Sequence, residues 1–568
     1  MDRADAIAYL QQMALALELI GESPHRTAAF RRAARALSEI EDGDWDAWVE
    51  ERGPALPGIG PGIRKRLADY RRTGTLADLE ALHLQIPPGL FDLLRIRGLG
   101  PRRVRQLWQE ADIVTLRRLE RACRRGRLAK LPGFGEKTQQ QLMEEIRRLR
   151  RYQGRSLRIH AIEQAQAREA DLRAVKGLHD LTRAGELRRA LETVGELVWV
   201  AGGDDPAIQL GRIATLTAAS LPSPEEPDVV RFAAPDAPPE RIVVTARDHH
   251  AARLFLETGN EAHVRGVLRR LAGRDLPSGD WLPATEEAIY AQAGLAYIPP
   301  EIREGRGEIS ASRSGELPDL LRAEQIQGVL HVHTTWSDGK GSVRRMTEEA
   351  RRLGWSYIGI ADHSQAAFYA RGLSPERLQK QADEIAEVQE AFPDVRIFRG
   401  IESDILPDGT IDMPEASLAQ LDFVIVSVHS VMRMTSGAMT DRLIRAIRHP
   451  QATVLGHPSG RLLLERESYP IDWERLLDAA ADAGVAIEFN APPERLELDW
   501  RLIRAATGRG IPICINPDAH RPDAMHHVIA GIDTARKGWL TAAQTLNTRG
   551  AGELAAFFRE VRGRKVTR

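Results

Sequence analysis

The stretch HVHTTWSDG, residues 331–339, decides how the C-terminal half of this chain is interpreted. Its histidines, His331 and His333, are two residues apart, so their side chains lie on the same face if the stretch is a β-strand. Asp338 follows in the loop after the strand. Two imidazoles and a carboxylate in this arrangement are typical of metal ligands. The stretch therefore predicts a metal site at the end of a strand.

The same pattern of an apolar run ending in polar residues recurs after residue 326, from GVLHVH to IPICINPDAH. These runs alternate with helical stretches, which predicts an α/β barrel or a doubly wound sheet. In a parallel barrel the carboxyl ends of the strands converge, and the polar residues would converge with them. The further candidate ligands at these ends are His363, Glu402, His429, His457, Asp518 and His520.

Nine such residues at strand ends indicate a polynuclear metal centre, because unrelated histidines would not all fall at the same point of successive strands. A mixed set of imidazoles and carboxylates suits Zn, Mn or Fe. Clustered divalent metals activate water and hold the oxygens of an in-line phosphoryl displacement, so we expect phosphoester hydrolysis. Glu402 is the candidate for a bridging carboxylate, and Arg461, after GHPSG, is the candidate for holding a phosphate oxygen.

HVHTTWSDG, ADHS, GIESD, SVHS, GHPSGR and NPDAH resemble the PHP (polymerase and histidinol phosphatase) domain, over residues 326–568. The resemblance implies a distorted (β/α)7 barrel that binds three divalent metals. It implies one metal on His331, His333, Glu402 and Asp518, a second on Glu402, His429 and His457, and a third on Asp338, His363 and His520. The catalytic residues that we expect are His331, His333, Asp338, Glu402, Asp518 and His520.

Residues 1–150 have a helical pattern that is interrupted by three similar turns, LPGIGPGI (56–63), IRGLGPRRV (96–104) and LPGFGEKT (131–138). Helix–hairpin–helix turns of this kind hold a DNA phosphate with backbone N–H groups and do not read sequence. Residues 51–150 carry 22 Lys and Arg against 11 Asp and Glu, so we expect DNA binding that weakens with salt. The candidate DNA contacts are Gly58, Gly60, Arg64, Lys65, Gly98, Gly100, Arg102, Arg103, Gly133, Gly135 and Lys137.

The order of these segments resembles the bacterial family X DNA polymerase/3′-5′ exonuclease over almost the whole chain. The resemblance implies an all-α helix–hairpin–helix head, an α+β nucleotidyltransferase-like palm and thumb, and the PHP barrel. The predicted domains are a helical DNA-binding domain (1–88), a fingers-like helix–hairpin–helix region (89–150), palm and thumb (151–305), a linker (306–325) and the PHP domain (326–568).

The palm departs from the family pattern. Family X palms hold the nucleotide triphosphate with Gly-Ser-x-Arg-Arg and bind two magnesium ions with Asp-x-Asp and a third aspartate. Two-metal chemistry needs such carboxylates, so we predict that this palm binds no magnesium pair and is inactive as a polymerase. The residues at these positions here are Glu186, Arg188 and Arg189 after Gly185, Glu196 and Val198 in ETVGELVWV (192–200), and Arg241 for the third aspartate.

The sequence favours a metal-dependent 3′-5′ exonuclease or phosphoesterase that acts on gapped, nicked or 3′-recessed DNA in repair, including base excision repair. Three alternatives remain open: an active template-directed polymerase with a PHP exonuclease, a non-catalytic DNA-binding scaffold, and a small-molecule phosphatase. The formal net charge is -1, and the two cysteines, Cys123 and Cys514, are far apart, which is typical of a reducing compartment. With no long apolar run, we expect a cytoplasmic, nucleoid-associated monomer without a membrane partner.

Overall fold

A computed structural model describes residues 3–38, 45, 48, 56–73, 76–217, 226–232, 237–272 and 282–566. The chain divides into two compact units, Met1–Gln153 and Gly154–Arg568. None of the helices in the described ranges is long and apolar enough to cross a membrane.

The N-terminal unit is built from helices around one apolar core. Leu10, Met13 and Leu17 recur at helical spacing and are buried, so one face of the first helix packs inward. Leu90, from a later helix, belongs to the same core. The helices are Arg3–Ile20, Pro24–Ser38, Pro61–Thr73, Ala77–His83, Gly89–Leu94, Pro101–Ala111, Leu116–Arg124 and Glu136–Tyr152.

The second unit begins with the predicted palm and thumb. Its strands are β1 (Ser156–Leu157), β2 (Leu178–Arg183), β3 (Thr193–Val194), β4 (Leu197–Gly203), β5 (Val229–Phe232) and β6 (Glu240–Ala246). The main sheet has the order β2-β4-β6-β5, in which β4 and β6 are parallel and both edge strands are antiparallel. ETVGELVWV thus contributes the short strand β3 and the start of β4, whose residues are all buried.

The segment 306–325, which we predicted as a linker, contains the helix Glu308–Ser314. Glu308 is fully buried and accepts a hydrogen bond from His263 Nδ1 at 2.7 Å, and Ser312 Oγ donates to the carbonyl of Ala296 at 2.8 Å. Its polar composition predicted a linker, and the side chains of Glu308 and Ser312 are paired inside the unit. The helices from the palm to this point are Arg158–Arg173, Gly185–Arg188, Pro206–Thr217, His250–Thr258, Glu261–Ala272, Glu286–Gln292 and Glu308–Ser314.

The remainder of the second unit is a parallel barrel. Its strands are β7 (Gly328–Val332), β8 (Tyr357–Ile360), β9 (Arg396–Arg399), β10 (Glu402–Asp404), β11 (Ile425–Ser427), β12 (Val454–Leu455), β13 (Ala486–Asn490) and β14 (Ile513–Asn516). Its helices are Val343–Arg352, Pro375–Ala391, Glu415–Leu418, Ser436–Ile447, Trp473–Ala483, Trp500–Thr507, His527–Arg536 and Ala551–Val566.

The barrel closes through two bridges. Strands β7-β8-β9 and β10-β11-β12-β13-β14 form two sheets of parallel neighbours. A bridge between His363 and Glu402 continues the pairing of β8 past β9 to β10, and a bridge between Val332 and Ala519 joins β14 to β7. With β9 and β10 as one interrupted strand, this arrangement has seven strand positions, and the predicted fold class is confirmed. The carboxyl ends of the strands therefore meet at one end of the barrel.

Candidate metal centre and nucleic-acid interface

Glu402 lies at the middle of the cluster that the strand ends form. Its carboxylate is 2.8 Å from His457 Nε2, 2.9 Å from His363 Nδ1 and 3.3 Å from His429 Nε2. It is also 3.5 Å from His331 Nε2. Only 1% of its side chain is exposed, so the carboxylate is shared among buried imidazoles. This central position supports the predicted bridging role.

The remaining ligands that we predicted extend the cluster towards solvent. Asp518 Oδ1 lies 3.1 Å from His333 Nε2, and Asp338 Oδ1 lies 3.3 Å from His520 Nε2. The side chains of Asp338 and His520 are 35% and 39% exposed, whereas His333 is fully buried. Asp338 and His520 therefore line the opening of the cluster.

Three groups of these side chains place one donor atom each within 4.8 Å of one another, as metal ligands must. The groups overlap with the predicted sets but differ from them. His333 also joins Asp338, His363 and His520, and His363 joins Glu402 and His429. Glu402 is absent from the group of His331, and His457 belongs to none of the three groups. The groups are His331, His333 and Asp518; His363, Glu402 and His429; and His333, Asp338, His363 and His520.

Two carboxylates behind the ligands orient the imidazole rings. Glu488 Oε1 accepts a hydrogen bond from His331 Nδ1 at 2.7 Å, and Asp404 Oδ1 accepts one from His429 Nδ1 at the same distance. Such a bond fixes the tautomer and leaves the lone pair of Nε2 for a metal. Neither residue is among the ligands predicted from sequence, although Glu488 in VAIEFN is an acid inside an apolar strand, which was the available signal.

A third buried carboxylate, Asp362, holds the loop that carries Asp338. It accepts hydrogen bonds from the backbone N–H and the hydroxyl of Thr334, both at 2.7 Å, and from Gln381 Nε2 at 2.6 Å. The backbone N–H of Ser337 donates to it at 3.2 Å. These bonds fix the loop between His333 and Asp338. Asp362 was also missed, because it stands beside the more conspicuous His363 in ADHS.

The electrostatics of the cluster favour cations. Burial alone would favour the neutral acids, but His429 and His331 hold the pKa of Glu402 well below its usual value. His331 and His333 do the same to Asp518. Burial and the neighbouring imidazoles lower the pKa of His333 to about 4. The carboxylates are therefore ionised at neutral pH beside at least one neutral imidazole, and both are in the state that binds metal.

The residues present fit a set of divalent metals. Buried ring nitrogens of four histidines in the cluster make no hydrogen bond in the described structure, although His363 Nδ1 lies 2.9 Å from the carboxylate of Glu402. A buried nitrogen without a hydrogen bond is costly unless a ligand takes it. His331 Nε2 is one of them, while its Nδ1 is held by Glu488. The unpartnered atoms are His331 Nε2, His333 Nδ1, His363 Nδ1 and His457 Nδ1.

Arg461, the predicted phosphate ligand, is engaged elsewhere. Its guanidinium donates to the carbonyls of Arg495 and Leu496 and pairs with Asp499 at 3.1 Å. Free phosphate contact would require these bonds to break. Arg495 is a cation close to the ligand Asp518. Burial lowers the pKa of Arg495, but the carboxylates of Glu497 and Asp518 outweigh this effect and raise it.

Replacing Glu488 with glutamine should weaken metal binding by about 10–100-fold, the usual effect of losing a carboxylate behind a metal-bound histidine. The amide keeps the size of the side chain but no longer holds the N–H of His331 with a charge. The measurement is manganese affinity by calorimetry together with metal content by mass spectrometry. Glu553→Gln, on an exposed position of the last helix, is the control. An unchanged affinity in Glu488→Gln would contradict the assigned orientation of His331.

The three hairpin turns of the N-terminal unit share one backbone geometry. Gly58, Gly98 and Gly133 have φ of +93°, +87° and +80°, which L-residues rarely adopt. In each turn the next residue donates its N–H to the carbonyl three residues back, at 3.0–3.2 Å. The turns lead into helices that begin at Pro61, Pro101 and Glu136.

The second glycine of each turn leaves open space above the helix N-terminus. A Cβ added at Gly60, Gly100 or Gly135 would meet no atom within 4 Å. Gly100 and Gly135 have φ of −79° and −74°, which any residue adopts, so neither the backbone nor the packing requires glycine there. A phosphate that approaches the backbone N–H groups would explain the bare surface.

The basic side chains that we predicted as DNA contacts differ in their exposure and in their hydrogen bonds to the protein. Lys65, Arg102 and Lys137 are exposed. Arg103 is exposed too, but its Nη1 donates to the carbonyl of Gly98 at 2.9 Å. Arg64 is half-buried, and its Nη2 donates to the carbonyl of Trp48 at 3.3 Å. The exposed side chains therefore lie where they can add charge to the hairpin turns.

In the palm, the acid at the Asp-x-Asp position is already paired. Glu196 forms ion pairs with Arg231 at 2.8 Å and Arg241 at 3.0 Å. Arg241 also pairs with Glu257 at 2.6 Å, and it lies directly opposite Val198 in the pairing of β4 with β6. An arginine and a valine thus occupy the two places next to Glu196 where further metal carboxylates would have to stand.

The residues of the predicted triphosphate loop are likewise paired with protein groups. Glu186 accepts from the backbone N–H of Gly195 at 2.6 Å. Arg188 pairs with Glu286, and Arg189 pairs with Glu304 at 3.0 Å. Both arginines of the predicted triphosphate loop are therefore already paired with acids of the protein.

Three models of known protein families match separate parts of the chain. The helix–hairpin–helix domain matches residues 1–76, the SAM-like helix–hairpin–helix tandem matches residues 91–148, and the PHP domain matches residues 330–492. Helix–hairpin–helix domains bind DNA, and PHP domains bind several metals. The fold and the metal cluster thus define a DNA-binding, metal-dependent phosphoesterase.

Individual relatives make the class more specific. The DNA polymerase/3′-5′ exonuclease PolX of Bacillus subtilis (strain 168) is 32% identical over 98% of this chain and 100% of its own length. The chain belongs to this PolX family of DNA polymerase/3′-5′ exonucleases. A probable phosphatase of Thermoanaerobacter sp. (strain X514) is 27% identical but covers 41% of this chain and 95% of its own. The resemblance to family X and the hydrolytic enzyme class are thereby confirmed.

Proposed function

We propose that this chain is a 3′-5′ exonuclease that removes nucleotides from DNA ends at its PHP centre, and that its palm does not polymerise. The observation that carries the proposal is the contrast between the two sites. Around Glu402, eight of the nine predicted ligands fall into groups whose donor atoms lie within 4.8 Å of one another, and several of their ring nitrogens make no hydrogen bond. Around Glu196 the acid is neutralised by two arginines.

The candidate metals are three divalent ions, Mn, Zn or Fe, held by the predicted ligands. Bound there, such ions lower the pKa of water and stabilise the charge of a phosphoryl displacement. The chain itself supplies the shape of the site. Glu488 and Asp404 orient two imidazoles, Asp362 fixes the loop of Asp338, and burial of Glu402 keeps water from competing for its carboxylate.

The exposed ligands argue against metals with a purely structural role. Structural sites are closed by protein ligands, whereas catalytic sites keep an open side. Asp338 and His520 are 35% and 39% exposed, so a substrate phosphate can reach their group. This supports an enzyme over a non-catalytic scaffold.

The N-terminal unit favours DNA over a small phosphate ester. The probable phosphatase of Thermoanaerobacter aligns with 41% of the chain, whereas the PolX relative aligns with 98% of it. Three hairpin turns with open glycine positions add affinity for a long anionic strand and none for a small ester. The proposed substrates are gapped, nicked and 3′-recessed duplexes. We propose that the protein acts on them as a monomer in DNA repair, including base excision repair. Its proposed location is the cytoplasm, at the nucleoid.

The palm proposal rests on charge. Magnesium needs carboxylates on neighbouring strands, and a guanidinium at their place repels it. Arg241 opposite Val198 is such a guanidinium. We therefore expect the palm to bind no pair of magnesium ions. Its remaining role would be to connect the helical head to the PHP barrel along the chain.

One preparation tests both parts of the proposal. With manganese and a labelled 3′-recessed duplex, the primer should be shortened from its 3′ end. With all four nucleotides added, the primer should not be extended along the template. Rates on p-nitrophenyl phosphate should be far lower than on DNA. Gel electrophoresis of the labelled strand measures all DNA outcomes.

Three results would contradict the proposal. If the primer is not shortened with manganese, zinc or iron, the proposed exonuclease activity is refuted. Template-directed extension would make the palm active despite Arg241. Faster turnover of the small ester than of DNA would favour the small-molecule phosphatase. Glu257→Gln, which loosens Arg241 without creating a metal ligand pair, should leave extension absent.

A further inference from the structure

Two aromatic rings stand exposed beside the metal centre. Phe368 is 84% exposed and Tyr369 is 62% exposed, and they are the two aromatic side chains among the exposed large hydrophobic residues of the described ranges. Their ring centroids are 6.2 Å apart at 76°. An exposed aromatic ring contributes no hydrophobic free energy of burial to the fold. A pair of such rings beside a reactive site therefore suggests a surface that binds a ligand.

The rings are presented by a rigid turn. Phe368 and Tyr369 begin a short 3-10 helix, while Ala367 and Ala370 on either side of them are buried. The backbone N–H of Ala366 donates to Asp412 Oδ2 at 2.6 Å, which anchors the start of the turn.

The end of the turn is fixed as firmly. The N–H of Leu373 donates to the carbonyl of His363 at 2.8 Å. A Cβ added at Gly372 would lie 1.9 Å from the carbonyl oxygen of Ser364, so the two ends of the loop are in close contact. The same loop therefore carries a metal ligand, His363, at its base and the aromatic rings at its tip.

The tip lies on the open side of the centre. The ring of Tyr369 is 6.3 Å from the ring of His363, centroid to centroid. His363 shares a ligand group with Asp338 and His520, the most exposed ligands. A nucleotide whose phosphodiester reaches this group thus has its base within the range of the aromatic pair.

We propose that Phe368 and Tyr369 form a stacking platform for the base of the nucleotide at the 3′ end of the DNA strand. This inference rests on the proposed exonuclease function and adds to it how the end is held. Stacking on aromatic rings is tolerant of sequence, because every base has a flat face. The platform would orient any terminal nucleotide and would require that it be unpaired from its template.

The test compares two 3′ ends on the same oligonucleotide, one with a normal terminal nucleotide and one with a tetrahydrofuran abasic residue. Wild-type protein with manganese should have a kcat/KM roughly 5–100-fold higher on the end that carries a base. The variant Phe368→Ala/Tyr369→Ala should lose this preference by slowing on the normal end and should keep its rate on the abasic end. Phe368→Tyr/Tyr369→Phe should keep the preference.

Leu216→Ala, which removes an exposed apolar side chain from a palm helix, is the matched control and should behave as wild type. If the double alanine variant loses kcat/KM equally on both 3′ ends, the two rings have only a structural role and the proposed platform is refuted. An unchanged preference would overturn it as well.

A fluorescent base separates this proposal from the proposed function. An oligonucleotide with 2-aminopurine at its 3′ end, bound without divalent metal, should be quenched by wild-type protein and not by the double alanine variant. Quenching without any metal-dependent cleavage would refute the exonuclease and retain the platform. Cleavage without quenching would retain the exonuclease and refute the platform.

Discussion

Glu402→Gln should lower the manganese-dependent shortening of DNA by more than about 100-fold, beyond the effect of losing a residue behind the ligands. The amide has nearly the size of the carboxylate but no charge, and it would stand among His331, His363, His429 and His457 at 2.8–3.5 Å. A neutral imidazole has one free ring lone pair and does not bridge two cations, so we expect metal content to fall with activity. Single-turnover nuclease rates and metal analysis measure both.

Glu415→Gln is the matched control, because Glu415 is an exposed acid of the same barrel. Circular dichroism must show that Glu402→Gln is folded before its rate is interpreted. A folded Glu402→Gln protein with the rate of wild type would mean that the DNA chemistry occurs elsewhere, and the proposed centre would have to be abandoned.

Gly100→Ala/Gly135→Ala should weaken binding to a primer–template duplex by about 10–100-fold, because each methyl group blocks a phosphate from the backbone N–H groups of a hairpin. The backbone at both positions has φ near −75° and no atom lies within 4 Å of the added carbon, so the fold should be retained. Fluorescence anisotropy without divalent metal measures the affinity and its dependence on salt.

Gly211→Ala/Gly552→Ala is the control for this pair, since both positions have the same open space but lie outside the hairpins. The slope of affinity against salt should become shallower in the hairpin variant and remain unchanged in the control. Equal affinity of the hairpin variant and wild type would mean that the turns do not carry the DNA.

Much of the metal centre could be predicted from sequence, because each of its ligands is a local feature. His331 and His333 share a strand face by their spacing alone, and strand ends of a parallel barrel converge in any such fold. Glu402 could be singled out because GIESD follows an apolar run. The spacing of glycines in the hairpin turns is equally local, since φ near +90° at Gly58 or Gly133 is a property of one residue.

What the sequence could not predict depends on partners that are distant along the chain. Glu488 is 157 residues from His331, and an acid in an apolar strand gives no sign of which ring it orients. Arg461 follows a promising loop, yet its guanidinium binds carbonyls 34 and 35 residues away. The segment around Glu308 has the composition of a linker, but the carboxylate of Glu308 is hydrogen-bonded to the buried His263, 45 residues earlier in the chain.

The palm shows both sides of this division. The sequence by itself determined that Glu196 and Val198 stand where two aspartates are expected, and with the nine strand-end ligands it determined the class of chemistry. Only the tertiary structure decided what Glu196 does. Strand pairing brings Arg241 opposite Val198, and Arg231 comes from the neighbouring strand, so the acid is held in ion pairs. Residue identity fixes which groups can bind a metal, but long-range pairing decides which of those groups remain free to bind it.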